Sequence, residues 1–297
     1  MLALLATLGP LGPVSAAASA DEPAADSQTL LNRAAAQLAG TPSLEARFRQ
    51  RVQLFGQELS GAGSYLQKRS PQGLLLRLEL KLQVGSQLSS LQQVADGRFL
   101  WIRRDLPGGT SLGRVDLERL RAALPQRGQP ARPEVTTDWL ARGGLPGLIA
   151  ALAEHFQFSP PQAVRSDQAA MWVLEGRWKA DKLASLPPEW KPQTAKVNPA
   201  DPRQLPAHLP TEVRLVLGQS DLLPYRIEYR RQPAESAGDQ NAAARPLVVL
   251  EITEFQQRED LDDRLFIYQP GNQEVADYTD RYLASLVPER PDERPSD

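Results

Sequence analysis

Cysteine is absent from all 297 residues, which removes disulfides, thiol nucleophiles, thiolate metal sites and a lipidated N-terminal cysteine together. Histidine is almost as scarce. His155 and His208 are the only two, and neither belongs to an H-x-x-x-H or H-E-x-x-H spacing, so each is read as structural or superficial. No G-x-S-x-G, no P-loop and no G-x-G-x-x-G before a helix occurs, and Gly61-Ala62-Gly63 is too short to cradle phosphate. No catalytic residue, cofactor or metal follows from such a chain, and an enzyme is not the expectation, although a paired-carboxylate hydrolase stays open on sequence. An excess of one charge is also lacking: 34 Lys and Arg face 36 Asp and Glu, scattered along the chain. The one-sided basic face that nucleic-acid binding needs is therefore missing. Hydrophobic content of 41% and charge of 24% describe a globular protein, neither disordered nor membrane-embedded.

The apolar run from Leu2 to Val14 is too short for a stop-transfer helix and contains Gly9, Pro10, Gly12 and Pro13. Ala18-Ser19-Ala20, just before Asp21-Glu22, has the A-x-A form of a signal-peptidase site. The reading is an exported protein with a leader at 1–20, a single domain at 21–287 and a frayed, Pro-rich tail at 288–297. No other segment has 18 apolar residues, so the mature chain is expected to be soluble.

The richest signal lies between Phe48 and Arg104. From Leu74 to Val84 the chain reads LLLRLELKLQV. Leu74, Leu76, Leu78, Leu80, Leu82 and Val84 share one parity; Arg77, Glu79, Lys81 and Gln83 share the other with Leu75. Side chains alternate along a strand, so this is a strand with one apolar and one charged face. Eleven residues at about 3.3 Å each span roughly 36 Å, far beyond the usual five or six. Strands at Leu44–Phe55 and Tyr65–Gln67 precede it, the second entered through the glycines at 61–63. Gly85 to Ser90 is read as a connection to a strand at Leu91–Ala95, and Asp96-Gly97 as a hairpin turn before Phe99-Leu100-Trp101-Ile102. Strands and turns without intervening helices form an antiparallel meander.

Helices are expected at Thr29–Leu38, with Ser27 as cap and Gly40 as stop, and at Leu117–Leu124 and Leu145–Phe156. Met171–Trp178 returns to strand, with Trp172, Leu174 and Trp178 on one face. Seven prolines between Pro187 and Pro210 argue against regular structure there. Val213–Leu217 and Tyr225–Tyr229 read as a hairpin, Gln232–Pro246 as a solvated loop, and Leu247–Phe255 and Leu265–Tyr268 as the last strands. Glu259, Asp260, Asp262 and Asp263 lack the glycine and ligand periodicity of a calcium loop and read as a solvated turn.

The order of these landmarks resembles the periplasmic lipoprotein-carrier family (LolA) and its fold group. The residues that carry the resemblance are Phe48-Arg49-Gln50, similar to an F-x-Q opening strand; Lys68-Arg69 near Pro71; the long leucine strand; Asp96-Gly97-Arg98-Phe99-Leu100-Trp101, similar to a D-G-x-x-L-W hairpin; and Phe266-Ile267-Tyr268-Gln269-Pro270 near the end. It is strong over 48–104 and thin afterwards. Ser70 intervenes before the proline, and the anchored-receptor branch would need a cysteine.

What the resemblance implies is an α+β fold, mainly antiparallel β, in which a curved half-barrel sheet has a helical lid and acyl chains of lipoproteins or lipids lie between them. Phe48, Val52, Leu76, Leu78, Leu80, Leu82, Trp101, Trp172 and Leu174 would line that hydrophobic cavity. An arginine on an early strand would hydrogen-bond the lid backbone and control it; Arg69 matches best, with Lys68 as the register alternative. Implied partners are an inner-membrane releasing transporter and an outer-membrane receptor, and the protein would be a soluble periplasmic monomer. The alternative is an envelope sensor of the same fold that binds lipidated ligands and signals through a protein partner. A closed sheet-on-helix core, with the leucines packed permanently, is the plainest reading of the same pattern.

Overall fold

The computed structural model describes residues 26–54, 56–84, 87–123, 143–165, 169–184, 186, 201–232 and 243–286; the segments expected as a leader (1–20) and a tail (288–297), most of the loop expected at Gln232–Pro246 and most of the Pro-rich 187–210 segment lie outside them. The chain enters through helix α1 (Ser27–Gly40), then runs as six consecutive antiparallel strands: β1 (Ser43–Leu54), β2 (Gln57–Ser70), β3 (Gly73–Val84), β4 (Gln87–Ala95), β5 (Phe99–Leu106) and β6 (Gly109–Asp116). Helices α2 (Leu117–Ala123) and α3 (Gly144–His155) follow, then short β7 (Phe156–Phe158) and β8 (Gln162–Arg165), β9 (Ala170–Trp178), α4 (Ala180–Ala184), β10 (Glu212–Gly218), β11 (Pro224–Arg231) and β12 (Arg245–Arg258). β13 (Ala276–Asp277) and α5 (Thr279–Leu286) end the described chain.

All thirteen strands belong to one open sheet in the order β13-β6-β5-β4-β3-β2-β1-β12-β11-β10-β9-β7, with β8 also on β9. The sheet grows outward from β1 to β6, and the chain then crosses to the far edge. It walks back through β9, β10 and β11 until β12 pairs with β1 from Ser43↔Arg258 to Val52↔Val248. The α+β, mainly antiparallel reading therefore holds. A register shift between Glu45 and Arg47 lies opposite Glu254, whose φ is +53°. Such a bulge adds local twist and bends the strand that carries it.

The alternation in β3 becomes two environments. Leu76, Leu78 and Leu80 are 1–2% exposed and share one core with Leu30, Leu31 and Leu38 of α1 and Leu145, Leu148, Ile149 and Leu152 of α3. α1 packs against α3 over this inner face. Each leucine so buried stabilises the fold by about 1.5–3 kcal/mol relative to exposure. Gly63 on β2 leaves the room Phe48 needs, because a Cβ there would stand 2.7 Å from the Phe48 ring.

Four sequence expectations change. Ser27 is the first helical residue, and its Oγ donates to the Ser159 carbonyl at 2.5 Å instead of capping α1. β4 begins at Gln87, because its two-residue link to β3 leaves Val84 paired with Gln87; polar Gln87, Ser89 and Ser90 hid its first half. Leu265–Tyr268 forms no strand: Asp262 accepts from the Arg264 backbone N–H and starts a 3-10 turn at Asp263–Phe266. The segment then crosses the outer face, where Tyr268 stacks on Trp101 at 5.4 Å between ring centroids. β13, parallel to β6, and α5 were not expected. Unfolding in denaturant checks the packing: Leu78→Ala should lower stability by about 2–5 kcal/mol, whereas Leu88→Ala, at a side chain 65% exposed, should change it by less than about 0.5 kcal/mol.

Candidate functional site

The inner face of the sheet, roofed by α1 and α3, is where most of the sequence-selected residues meet. Phe48, Leu76, Leu78, Leu80 and Leu174 are buried in the same core, with Leu82 and Trp172 partly buried against it. Val52 lies on the inner parity of β1 and is half-buried. Trp101 departs from the set. Leu100 and Ile102 belong to the inner core, so their neighbour Trp101 must face outward; it packs with Val94 and Leu112 in a second cluster that Phe99, Tyr268 and Val275 border. Its indole Nε1–H donates to Asp96 Oδ2 at 3.0 Å, while Asp96 Oδ1 accepts from the backbone N–H groups of Arg98 and Phe99. The D-G-x-x-L-W pattern is thus a turn whose aspartate ties down both the backbone and the tryptophan.

Arg69 sits on the inner parity of β2 but at its exposed end. Among the described residues its guanidinium makes no hydrogen bond or ion pair. The group that grips the helices is Tyr65, four residues earlier on the same face. Its Oη accepts from the Leu145 backbone N–H at 3.2 Å and donates to Gln67 Oε1 at 2.7 Å; Gln67 Nε2 donates to the Leu38 carbonyl at 2.7 Å. Leu145 lies in the first turn of α3 and Leu38 in the last turn of α1, where backbone groups lack intrahelical partners. Two side chains therefore satisfy two helix ends and join both to the sheet. The fit is close: Gly144, at φ +70°, would place a Cβ 2.3 Å from Tyr65 Oη. Burial pushes the Tyr65 hydroxyl well above the usual tyrosine range, so it stays protonated and able to donate. Neither residue stood out in the sequence, although strand parity places Gln67 on the inner face with Tyr65.

One inner-face residue has no such partner. Gln93 stands between Leu78 and Ile102 across neighbouring strands. It is 0% exposed, and among the described residues neither Oε1 nor Nε2 has a hydrogen-bond partner. A buried polar group left so costs about 1–3 kcal/mol.

Lys68 points to the outer face. Its Nζ meets Asp260 at 2.7 Å and Asp263 at 2.6 Å and donates to the Leu261 carbonyl at 2.6 Å. Arg77 Nη1 donates to the Leu265 carbonyl nearby, so the acidic turn is a strap over the sheet. Among the described residues no group of three or more His, Asp or Glu side chains is placed to hold a metal ion, and no helix is long and apolar enough to cross a membrane.

No family model and no curated protein matches the sequence. Solved structures do show a likeness. A LolA superfamily protein from Nitrosomonas europaea is similar over 82% of this chain and 98% of its own, at 15% identity and a TM-score of 0.30. A DUF1329 family protein from Desulfovibrio piger is similar over 80% and 95%, at 9% identity and a TM-score of 0.34. The MucA/MucB complex of Pseudomonas aeruginosa gives 13% identity and a TM-score of 0.38 over 80% of this chain, which spans 59% of that neighbour's length.

Two predictions follow from the geometry. Tyr65→Phe strands the Leu145 N–H and Gln67 Oε1 and should lower stability by about 1–3 kcal/mol in denaturant unfolding. Asp260 and Asp263 raise the Lys68 pKa, and Lys68 in turn lowers that of Asp260. The strap's contribution is then complete above the ordinary aspartate pKa, about 3.9, and below the ordinary lysine pKa, about 10.4; it fades as pH falls through the depressed Asp260 value or rises through the elevated Lys68 value. Amide protection factors over 260–266, taken relative to the intrinsic exchange rate at each pH, should fall at both extremes in the native chain and be low throughout in Lys68→Met.

Proposed function

We propose that this protein is an exported, non-enzymatic carrier that takes acyl chains of lipids or lipoproteins between the leucine face of its sheet and the helices α1 and α3. The observation that carries this reading is Gln93. A core built only for permanent packing gains nothing from an amide with both polar atoms unpaired among leucines, because an apolar residue of that size avoids the cost. An ester or amide linkage at the head of an acyl chain supplies the missing partners, accepting from Nε2, and a ligand hydroxyl or N–H donates to Oε1.

The energetics suit cargo that must leave again. Burying a 16-carbon chain is worth about 0.8 kcal/mol per methylene, about 12 kcal/mol gross. In the closed form, leucines of β3 already rest on leucines of α1 and α3, so entry of cargo displaces apolar contacts before making new ones. That loss offsets part of the gross gain, and a ligand holds the lid open only through its differential affinity for the open form. Tyr65 and Gln67 set the cost of opening, the role the resemblance implied for Arg69. An inner-membrane releasing transporter and an outer-membrane receptor are the corresponding partners, and the periplasm the compartment.

The completeness of the closed packing favours a second reading, an envelope sensor of the same architecture that opens for a lipidated ligand and signals through a protein partner. Native mass spectrometry of residues 21 onward, followed by transfer of a fluorescent diacylated lipopeptide between vesicle populations, separates the two. The carrier binds the lipopeptide and accelerates its transfer, and Tyr65→Phe exchanges it faster. Binding without transfer identifies the sensor. A protein that remains free of lipopeptide after incubation has a permanently closed core, and the proposal fails.

A further inference from the structure

The outer face carries a second feature that acyl binding does not use. Along β2 the outward side chains Ser60, Ala62 and Ser64 are all small. The flanking strands are different: Arg47, Arg49 and Arg51 stand on β1, and Glu79, Lys81 and Gln83 on β3. Strands lie about 4.8 Å apart, so the two rows of long side chains stand roughly 10 Å apart over a floor of backbone. The result is a groove of about 600 Å³, lined by Arg49, Arg51, Ser60, Ala62, Lys81 and Gln83, with Leu88 and Glu251 at its margins. Its one carboxylate is already engaged, since Glu251 pairs with Arg226 and lies 3.7 Å from Arg51. Arg49 and Lys81, both exposed, make no hydrogen bond or ion pair among the described residues. A chain with net charge −2 thus gathers three cations on one groove by register alone.

Strand direction places the groove beside the hairpin ends. The β1–β2, β3–β4 and β5–β6 links all lie at the same end of the sheet. Two of those hairpins carry leucines held out to solvent: Leu88, 65% exposed, and Leu106, 54% exposed. Cations that grip phosphate next to apolar side chains that enter the interface are the pairing an anionic bilayer surface selects.

We propose that this groove is a docking site for the phosphate headgroups of anionic phospholipids in a bilayer, with Arg49 and Lys81 as the primary contacts and Leu88 entering the interface. The site is separate from the inner face and does not rest on acyl binding. A soluble phosphate would not need the exposed leucines, and the bidentate geometry of Arg49 suits a phosphodiester.

Flotation with phosphatidylcholine vesicles, with and without about 30% phosphatidylglycerol, tests it at low and high salt. The native protein should float with the anionic vesicles only and be released by salt. Arg49→Glu with Lys81→Glu should weaken association at least about tenfold, while Arg49→Lys with Lys81→Arg retains it and the uncharged Leu88→Ser weakens it without changing salt release. All three should keep the native unfolding midpoint. Equal flotation with neutral vesicles, or an unaffected charge-reversal variant, overturns the proposal. Displacement from the vesicles by an acidic peptide such as polyglutamate, but not by glycerol phosphate, overturns it in favour of an acidic protein segment as occupant.

Discussion

Everything in this molecule hangs on β1, which pairs on one side with β2 and on the other with β12. The first ladder is local, closed by a short hairpin. The second joins residues about two hundred positions apart and fuses two antiparallel meanders into one sheet. Without it, β1 and β12 would each be an unpaired edge with a row of free N–H and C=O groups. Loop closure over that separation grows only logarithmically with length, while the ladder extends over most of β1. The bulge at Glu254 bends the seam, and the inner leucines of one half then face the same helices as Val213, Leu215 and Leu217 of the other.

The seam also gives the sheet two faces of different chemistry. The inner one is apolar and covered by α1 and α3, with the Tyr65–Gln67 relay as the polar contact that fixes both helix ends. An apolar contact has no direction; a tyrosine hydroxyl that must reach one particular N–H does. The relay therefore sets where the helices sit, while the leucines supply the larger part of the energy. Gln93 breaks the pattern on the same face. It is a buried polar side chain among apolar neighbours, a local inconsistency in an otherwise apolar face.

On the outer face, charge is arranged in cross-strand rows. Most of it is internally compensated: Arg47 with Glu254, Arg77 with Glu79, Arg103 with Asp105, Arg226 with Glu228 and Glu251. Exposed pairs of this sort contribute little each to stability. Two regions depart from the scheme. One is the strap from Asp260 to Tyr268, which Lys68, Arg77 and Trp101 hold against the sheet. The other is the groove over β2, where small side chains leave Arg49 and Lys81 standing apart.

How much of this was legible beforehand depends on the range of each interaction. Strands β1 to β5 and β9 to β12, the hairpin at Asp96-Gly97, the apolar face of β3 and the helices α1, α2 and α3 could be read because alternation, turn residues and helical periodicity are local properties of the chain. Trp101 differs from the expectation because an aromatic ring suits a core, whereas its parity, opposite to that of Leu100 and Ile102, puts it in the outer cluster. Leu265–Tyr268 misled for a related reason: its residues suit a strand, but no strand edge was free where the fold put them. Tertiary structure alone decided that Tyr65 and not Arg69 meets α3, that Lys68 holds the acidic turn, that Gln93 is sealed without a partner, and that three scattered cations line one groove. Those facts depend on the register between strands and on which helix lands over which row, and both are set by packing between residues far apart in the chain.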